Sequence, residues 1–219
     1  MSETGPPPLD GIVETPGPDG VAARASFRHG VLHGPLQQFR PDGGLAREMH
    51  FVDGKLQGAF TEYDAAGRVA ARQHYVAGTL HGPASIYADG VLTAEMIQVN
   101  GVLQGPMHSY DALGRLAATA LYVNGKPHGP TTIFRPDGAR SKVMNYTDGK
   151  LDGESTEYFE NGGVRRRALY KAGKLDGPTT EYDETGKVCM VTHYAEDKKL
   201  DGPGTGTGKS GWLGRLIGS

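Results

Sequence analysis

Apolar and polar residues alternate in short stretches along most of this chain. After Gly177, for example, Thr180 and Tyr182 alternate with Thr179 and Glu181. A period of two is typical of β-strands, because successive side chains of a strand point to opposite faces. Gly or Pro recurs before three helical turns could form, which argues against helices throughout this pattern. The pattern therefore predicts an all-β protein.

A short phrase, Gly-x-Leu-x-Gly-Pro, divides the chain into similar units. Its second glycine recurs at steps of 23 to 25 residues, at Gly11, Gly34, Gly58, Gly82, Gly105, Gly129, Gly153, Gly177 and Gly202. About nine residues later each unit has a second turn signal, such as Pro136-Asp137-Gly138. Gly and Asp favour tight turns, so we expect two strands and two turns per unit, with both glycines of the phrase reversing the chain. A fixed period of this length indicates a repeat protein.

Aromatic residues recur every twelve positions within this pattern. They are Phe27, Phe39, Phe51, Tyr63, Tyr75 and Tyr87, and then Tyr110, Tyr122, Phe134, Tyr146, Tyr158, Tyr170, Tyr182 and Tyr194, with one interruption at Gln98. Each lies near the end of its strand, so the rings should form two columns, one beside each row of turns. The phrase leucine should form a third column. Regularly placed rings are typical of a binding surface, and the predicted partner-binding residues are Tyr63, Tyr87, Tyr110, Phe134, Tyr158, Tyr182 and Trp212.

The expected architecture is an elongated antiparallel stack of β-hairpins in a single twisted sheet, on the order of 75 Å long. Residues 1–10 form an N-terminal extension, 11–202 the array of about eight units, 203–211 a Gly-rich linker and 212–219 a short apolar tail. Trp212, Leu213, Leu216 and Ile217 would share one face of a two-turn helix. Three interpretations of the tail stay open: a cap on the last strand, a docking peptide, or disorder.

Composition and charge narrow the function classes. A hydrophobic fraction of 37% with 34 Gly and 14 Pro is little material for a compact core. Basic and acidic residues number 23 and 25. The one basic run, Arg165–Arg167, lies on a predicted strand whose alternate residues face opposite ways, so its three side chains should not form one patch. We expect neither nucleic acid nor a membrane as partner, a packed thiol at Cys189, and a cytoplasmic location.

Two local patterns imitate functional sites. Gly204–Ser210 resembles a phosphate loop, but Pro203 stands where that loop requires glycine. His33, His81 and His128 are two units apart, which places neighbours ~19 Å from each other, too far to share a metal ion. We interpret them as turn residues with exposed rings. The sequence therefore predicts no metal, no cofactor and no catalytic site.

Units such as Tyr122–Gly129 and Tyr170–Gly177, the second followed by Tyr182 and a turn glycine, resemble variant MORN repeats, specifically those of the bacterial YwqK-type antitoxins. The resemblance extends over residues 11–202 and implies a MORN-like hairpin stack. It also implies a non-enzymatic antitoxin or immunity protein that binds and neutralises a cognate toxin or secreted effector. A structural scaffold or assembly adaptor and a lipid-surface-associated MORN protein are the alternatives, and the oligomeric state stays open.

Overall fold

The structure, a computed structural model, describes residues 10–18 and 20–200. These residues form one open antiparallel sheet of nineteen strands and no helix, which confirms the predicted all-β hairpin stack. The strands are β1 Asp10–Gly17, β2 Gly20–Arg28, β3 Val31–Phe39, β4 Leu45–Val52, β5 Lys55–Tyr63, β6 Val69–Val76, β7 Thr79–Leu80, β8 Gly82–Ala88, β9 Val91–Val99, β10 Val102–Tyr110, β11 Leu116–Val123, β12 Lys126–Pro127, β13 Gly129–Phe134, β14 Arg140–Thr147, β15 Lys150–Tyr158, β16 Val164–Lys171, β17 Lys174–Tyr182, β18 Val188–Ala195 and β19 Lys198–Lys199. The Gly-rich linker and the apolar tail lie outside the described residues.

The strands follow one another across the sheet in chain order. Two of them are split: β7 and β8 both pair with β6, and β12 and β13 both pair with β11. The interruptions fall at His81 and His128, whose backbone N–H groups still donate to the carbonyls of His74 and Leu121 at 2.8 Å. Each hairpin is local in sequence, so the two recurring turns of each unit account for the order of the strands.

Two rows of turns close the hairpins, one row at each end of the strands. In the first row, the phrase turns, both central residues have positive φ, as at Asn124 (52°) and Gly125 (75°). This geometry matches the twist of the strands. In the second row, the opposite turns, Gly138 has a φ of 84° and donates its N–H to the carbonyl of Arg135 at 2.9 Å. The opposite turn at Asp89-Gly90 is shorter than the one at Pro136-Asp137-Gly138, because its unit lacks one residue.

The second glycine of the phrase does not reverse the chain, and the prediction that it does is wrong. Gly177 lies inside β17 with a φ of 125°. Tyr170 pairs with Leu175 and Ala168 with Thr179, so residues 176–178 stand opposite one residue of β16. The glycine therefore forms a bulge that bends the strand. Because two residues are added, the alternation of faces is the same before and after the bulge.

The two aromatic columns form beside the two rows of turns, but they occupy opposite faces of the sheet. The phrase leucines pair across strands with the first column, as Phe51 does with Leu56 and Tyr170 with Leu175. We call this side the leucine face. Tyr158 is an odd number of residues from Leu151 on β15 and so points the other way. We call its side the tyrosine face.

Buried residues are few because the sheet is a single layer. Ala84, Ala168 and Thr179 are only 3 to 4% exposed, and Ser155 is 5% exposed. Cross-strand pairing places the last three side by side in the middle of the leucine face, since Ala168 pairs with both Ser155 and Thr179. Stability of the array therefore comes from many neighbouring contacts rather than from a thick core.

Cys189 is exposed, which corrects the expectation of a packed thiol. It lies on β18. Within the described residues this strand pairs with β17 on one side and with only the two-residue strand β19 on the other. The apolar stretch around Cys189 is therefore covered on one side only, and Val188, Met190 and Val191 are also 48 to 49% exposed.

Candidate functional site

Six of the predicted partner-binding residues lie in one column on the tyrosine face. They are Tyr63, Tyr87, Tyr110, Phe134, Tyr158 and Tyr182, and all six are half-buried. They occur on every second strand beside the opposite turns, which places successive rings ~9.6 Å apart. Trp212, predicted for the same surface, lies outside the described residues. Whether this column binds a partner stays a prediction.

Polar neighbours orient individual rings of the column. The Tyr110 hydroxyl donates a hydrogen bond of 2.8 Å to Oε2 of Glu95 on the neighbouring strand. This hydrogen bond and, to a smaller extent, partial burial raise the pKa of Tyr110, so the phenol remains a protonated donor. The Arg140 guanidinium carbon lies 5.5 Å from the centroid of the Tyr158 ring, a cation–π contact.

A polar column runs beside the rings on the same face. Cross-strand pairing connects Gln37, Glu48, Thr61, Arg72, Ser85, Glu95, His108, Thr119, Thr132, Val143, Thr156, Arg167 and Thr180 in this order. Most members are hydroxyl or amide side chains. The tyrosine face thus combines aromatic contact area with hydrogen-bonding groups, a combination that suits recognition of another protein.

The middle of the tyrosine face is exposed and poor in charge. Val76, Ile97, Val99 and Val102 are 38 to 42% exposed. Between residues 69 and 110 only three side chains, Arg72, Asp89 and Glu95, carry a formal charge. We call strands β6 to β10 on this face the middle sector. The sequence prediction missed it, although the long interval with few charges was visible in the sequence.

A charged cluster occupies the leucine face farther along the array. Glu157 lies 3.3 Å from Nζ of Lys142, 2.5 Å from Arg165 and 3.8 Å from Arg166. Burial raises the pKa of Glu157, but hydrogen bonds from Arg165 and Lys142 outweigh it and bring the pKa below its usual value. A groove of about 490 Å³ passes this cluster and is also lined by Arg135.

The three arginines of the basic run do not form one patch, as expected, but two of them share a carboxylate. A register shift between Glu157 and Tyr158 adds one residue to β16, and Arg165 and Arg166 then reach the same carboxylate. Arg167 points to Glu154 instead, 3.8 Å away. Two of the three arginines therefore act together, which strict alternation along a regular strand did not allow.

In several units, the residue before the second glycine of the phrase contacts the next unit. His33 Nδ1 lies 3.2 Å from Oδ1 of Asp53 in the following phrase turn, and Gln57 Oε1 accepts the backbone N–H of Ala77 at 2.8 Å. A hydrogen bond from Arg28 and then one from His33 lower the pKa of Asp53. The side chain of His33 is 26% exposed and that of His128 is 45% exposed, so the expectation of exposed rings is wrong for His33 but not for His128.

Backbone bonds strengthen the same junction. The N–H of Gly54 donates to the carbonyl of Leu32 at 2.8 Å, and Gly173 does the same to Leu151 at 2.7 Å. Each phrase turn is therefore bonded to the previous unit. Within residues 10–18 and 20–200, no group of three or more His, Cys, Asp or Glu side chains is arranged to hold a metal ion.

Comparison with known families identifies the unit. Residues 151–172 and 175–196 match the MORN repeat variant. Each matched range begins at a phrase leucine, Leu151 or Leu175, and contains the bulge of the phrase, one opposite turn with its register shift, and two aromatics of the twelve-residue series. MORN repeats are generic modules that often mediate binding. A search of curated proteins finds no significant match to the chain. The described residues include no helix of the length and apolarity needed to cross a membrane.

Proposed function

We propose that this chain is a non-enzymatic protein-binding MORN repeat protein that neutralises a cognate toxin or secreted effector by direct binding. The observation that carries the binding role is the alignment of six rings in one column on one face. Aromatic side chains give large contact area and lose little conformational entropy, so they dominate binding energies at protein interfaces. The toxin partner, and a cytoplasmic location, rest on the sequence resemblance and on the composition described above.

Extended repeat arrays suit this task because they bind along their length. Each unit contributes one ring and one stretch of the polar column, so a partner can contact several units at once. The rings supply contact area and hydrogen bonds rather than acid–base chemistry, which supports a masking role. A partner that spans two or three rings would cover roughly 20 to 30 Å of the column.

Affinity capture with matched variants tests the proposal. The double variant Tyr158→Ala/Tyr182→Ala removes two rings of the tyrosine face, and Tyr146→Ala/Tyr170→Ala removes two rings of the leucine face in the same region. We expect the wild type to capture one protein from its native cells in a one-to-one complex. The tyrosine-face variant should bind it about 30-fold more weakly or worse, and the control should retain binding.

A growth assay then tests neutralisation. The captured protein should arrest growth when it is produced alone, and co-production of the wild-type chain should restore growth while the tyrosine-face variant does not. Restoration by both double variants equally would remove the tyrosine face from the proposal. A captured protein without toxicity would refute the antitoxin role and leave a binding role.

A scaffold or assembly adaptor is the second candidate, and one observation favours it. The array carries chemically different regions, since the middle sector is poor in charge and the Glu157 cluster joins Lys142, Arg165 and Arg166. Different regions can recruit different proteins simultaneously. Capture of several proteins that bind without competing would support this candidate over masking.

A further inference from the structure

Arg72 and Glu95 stand on the tyrosine face as opposite charges that do not meet. Arg72 on β6 pairs across strands with Ser85 on β8, and Ser85 pairs with Glu95 on β9. The two charges are therefore two strands apart, ~9.6 Å. Arg72 is exposed and makes no ion pair within the described part of the chain. Glu95 accepts a hydrogen bond from the Tyr110 hydroxyl.

The cross-strand neighbours of these two charges are polar, namely Thr61, Ser85 and His108. Apolar side chains that are open to solvent lie next to them along the strands. On the side of the phrase turns, Val76 on β6 is 42% exposed and Val99 on β9 is 38% exposed. Ile97 adds a further apolar group that is 40% exposed. Contiguous exposed apolar surface of this kind usually marks an interface.

We propose that a second copy of this chain covers the middle sector, related by a two-fold axis that runs along β8. A rotation about this axis exchanges β6 with β9 and leaves the position of each residue along the strand direction unchanged. Arg72 of each copy then faces Glu95 of the other, and Val76 faces Val99. The same rotation exchanges β5 with β10, so Tyr63 faces Tyr110. A charge arrangement that is self-complementary about one axis selects a copy of the same chain as the occupant.

The available area is sufficient for a stable dimer. Five neighbouring strand positions from β5 to β10 span ~24 Å, and strands of about nine residues are ~30 Å long. One copy would therefore contribute about 700 Å², which places the two-sided interface in the standard size class of specific complexes. Side chains from two stacked sheets interdigitate across ~10 Å, a distance that Arg and Glu can bridge together.

The dimer does not depend on the identity of the partner protein. The second copy would cover Tyr63, Tyr87 and Tyr110, whereas the other three rings of the column lie on β13, β15 and β17, outside the five strand positions from β5 to β10. A protein bound at those rings and a second copy at the middle sector can therefore be present together. Failure of the dimer would leave the proposed binding function intact, and the reverse also holds.

Sedimentation velocity over a range of concentrations tests the dimer through charge reversal. We expect the wild type to sediment with twice the 23.3 kDa mass of one chain. Arg72→Glu and Glu95→Arg each place like charges opposite one another at two symmetric sites, so each should weaken dimerisation about 100-fold or more. The double variant Arg72→Glu/Glu95→Arg restores both pairs and should restore the dimer.

A matched pair on the other face provides the control. Arg47 and Glu62 form an ion pair of 2.9 Å on the leucine face, and Arg47→Glu and Glu62→Arg should leave the dimer intact. Val99→Asp, at an exposed position, should give a folded monomer. A wild type that stays at 23.3 kDa at every concentration would overturn the proposal. So would a double reversal that stays monomeric while each variant keeps the β circular-dichroism spectrum.

Discussion

Replacement of Gly177 by alanine should destabilise the array through the bulge. The φ of 125° is outside the conformations that side-chain-bearing residues adopt easily, and such strain costs about 1 to 3 kcal/mol. A Cβ at this position would also lie 2.8 Å from Cδ2 and 3.2 Å from Cβ of Leu169. Leu169 is 41% exposed, so its end can rotate away, but its Cβ cannot, and overpacking adds about 1 kcal/mol.

The expected net loss is about 2 kcal/mol or more, because a less flexible unfolded chain offsets about 0.4 to 1 kcal/mol. Gly105 is the matched control: it occupies the same position of the phrase, has a φ of 84°, and a Cβ there would meet nothing within 4 Å. Gly105→Ala should therefore lose at most about 1 kcal/mol.

Urea unfolding followed by circular dichroism measures both variants. Because repeat arrays can unfold in parts, amide hydrogen exchange in β16 to β18 should accompany it and should accelerate only in Gly177→Ala. Equal losses for the two variants would refute the role of φ and of the Leu169 contact. Restoration of part of the stability by Leu169→Ala in the Gly177→Ala background would confirm the steric part.

Two further predictions concern the contacts between units and the turns. Gln57→Ala removes the acceptor of the Ala77 N–H, and loss of one hydrogen bond of about 1 kcal/mol should speed exchange of that amide about fivefold. The Gln37 amide donates to the side chain of Glu48 instead, so Gln37→Ala should not change the exchange rate of the Ala77 amide. Acid should weaken the opposite turns. Three of these turns begin with an aspartate whose pKa is lowered by hydrogen bonds from backbone and side-chain groups of the turn; these are Asp64, Asp111 and Asp183. A carboxylate with a lowered folded-state pKa stabilises the fold fully above its ordinary value of 3.8 and loses this effect as the pH falls through the folded-state pKa. The urea midpoint should therefore fall at acid pH more in the wild type than in the triple Asn variant, and parallel curves would contradict the reasoning.

The placement of the rings shows how far local patterns can lead. The twelve-residue interval of Tyr158, Tyr170 and Tyr182 predicts two columns beside two rows of turns, and the structure has them. The twelve-residue pattern could not predict that the two columns lie on opposite faces, because this depends on how many residues lie in each bulge. Had Gly177 added one residue rather than two, every side chain after it would have changed face.

Contacts between units were harder to predict than the units themselves. His33 reads as an ordinary turn residue, and only the stacking of the next phrase turn brings Asp53 within 3.2 Å of its ring. Arg165 and Arg166 should diverge on a regular strand, and the extra residue of β16 brings both to Glu157. In each case the partner lies in another strand, at a position set by register.

The sequence by itself determined the repeat, its two turns per unit, the all-β class and the order of the strands, since all of these follow from the local chemistry of Gly, Asp and alternating apolar residues. Only the tertiary structure decided the role of the second glycine, the face of each column, the exposure of Cys189, and the neighbours of Arg72 and Glu95. These features depend on hydrogen bonds between strands, whose register and bulges are set by the whole sheet rather than by any single segment.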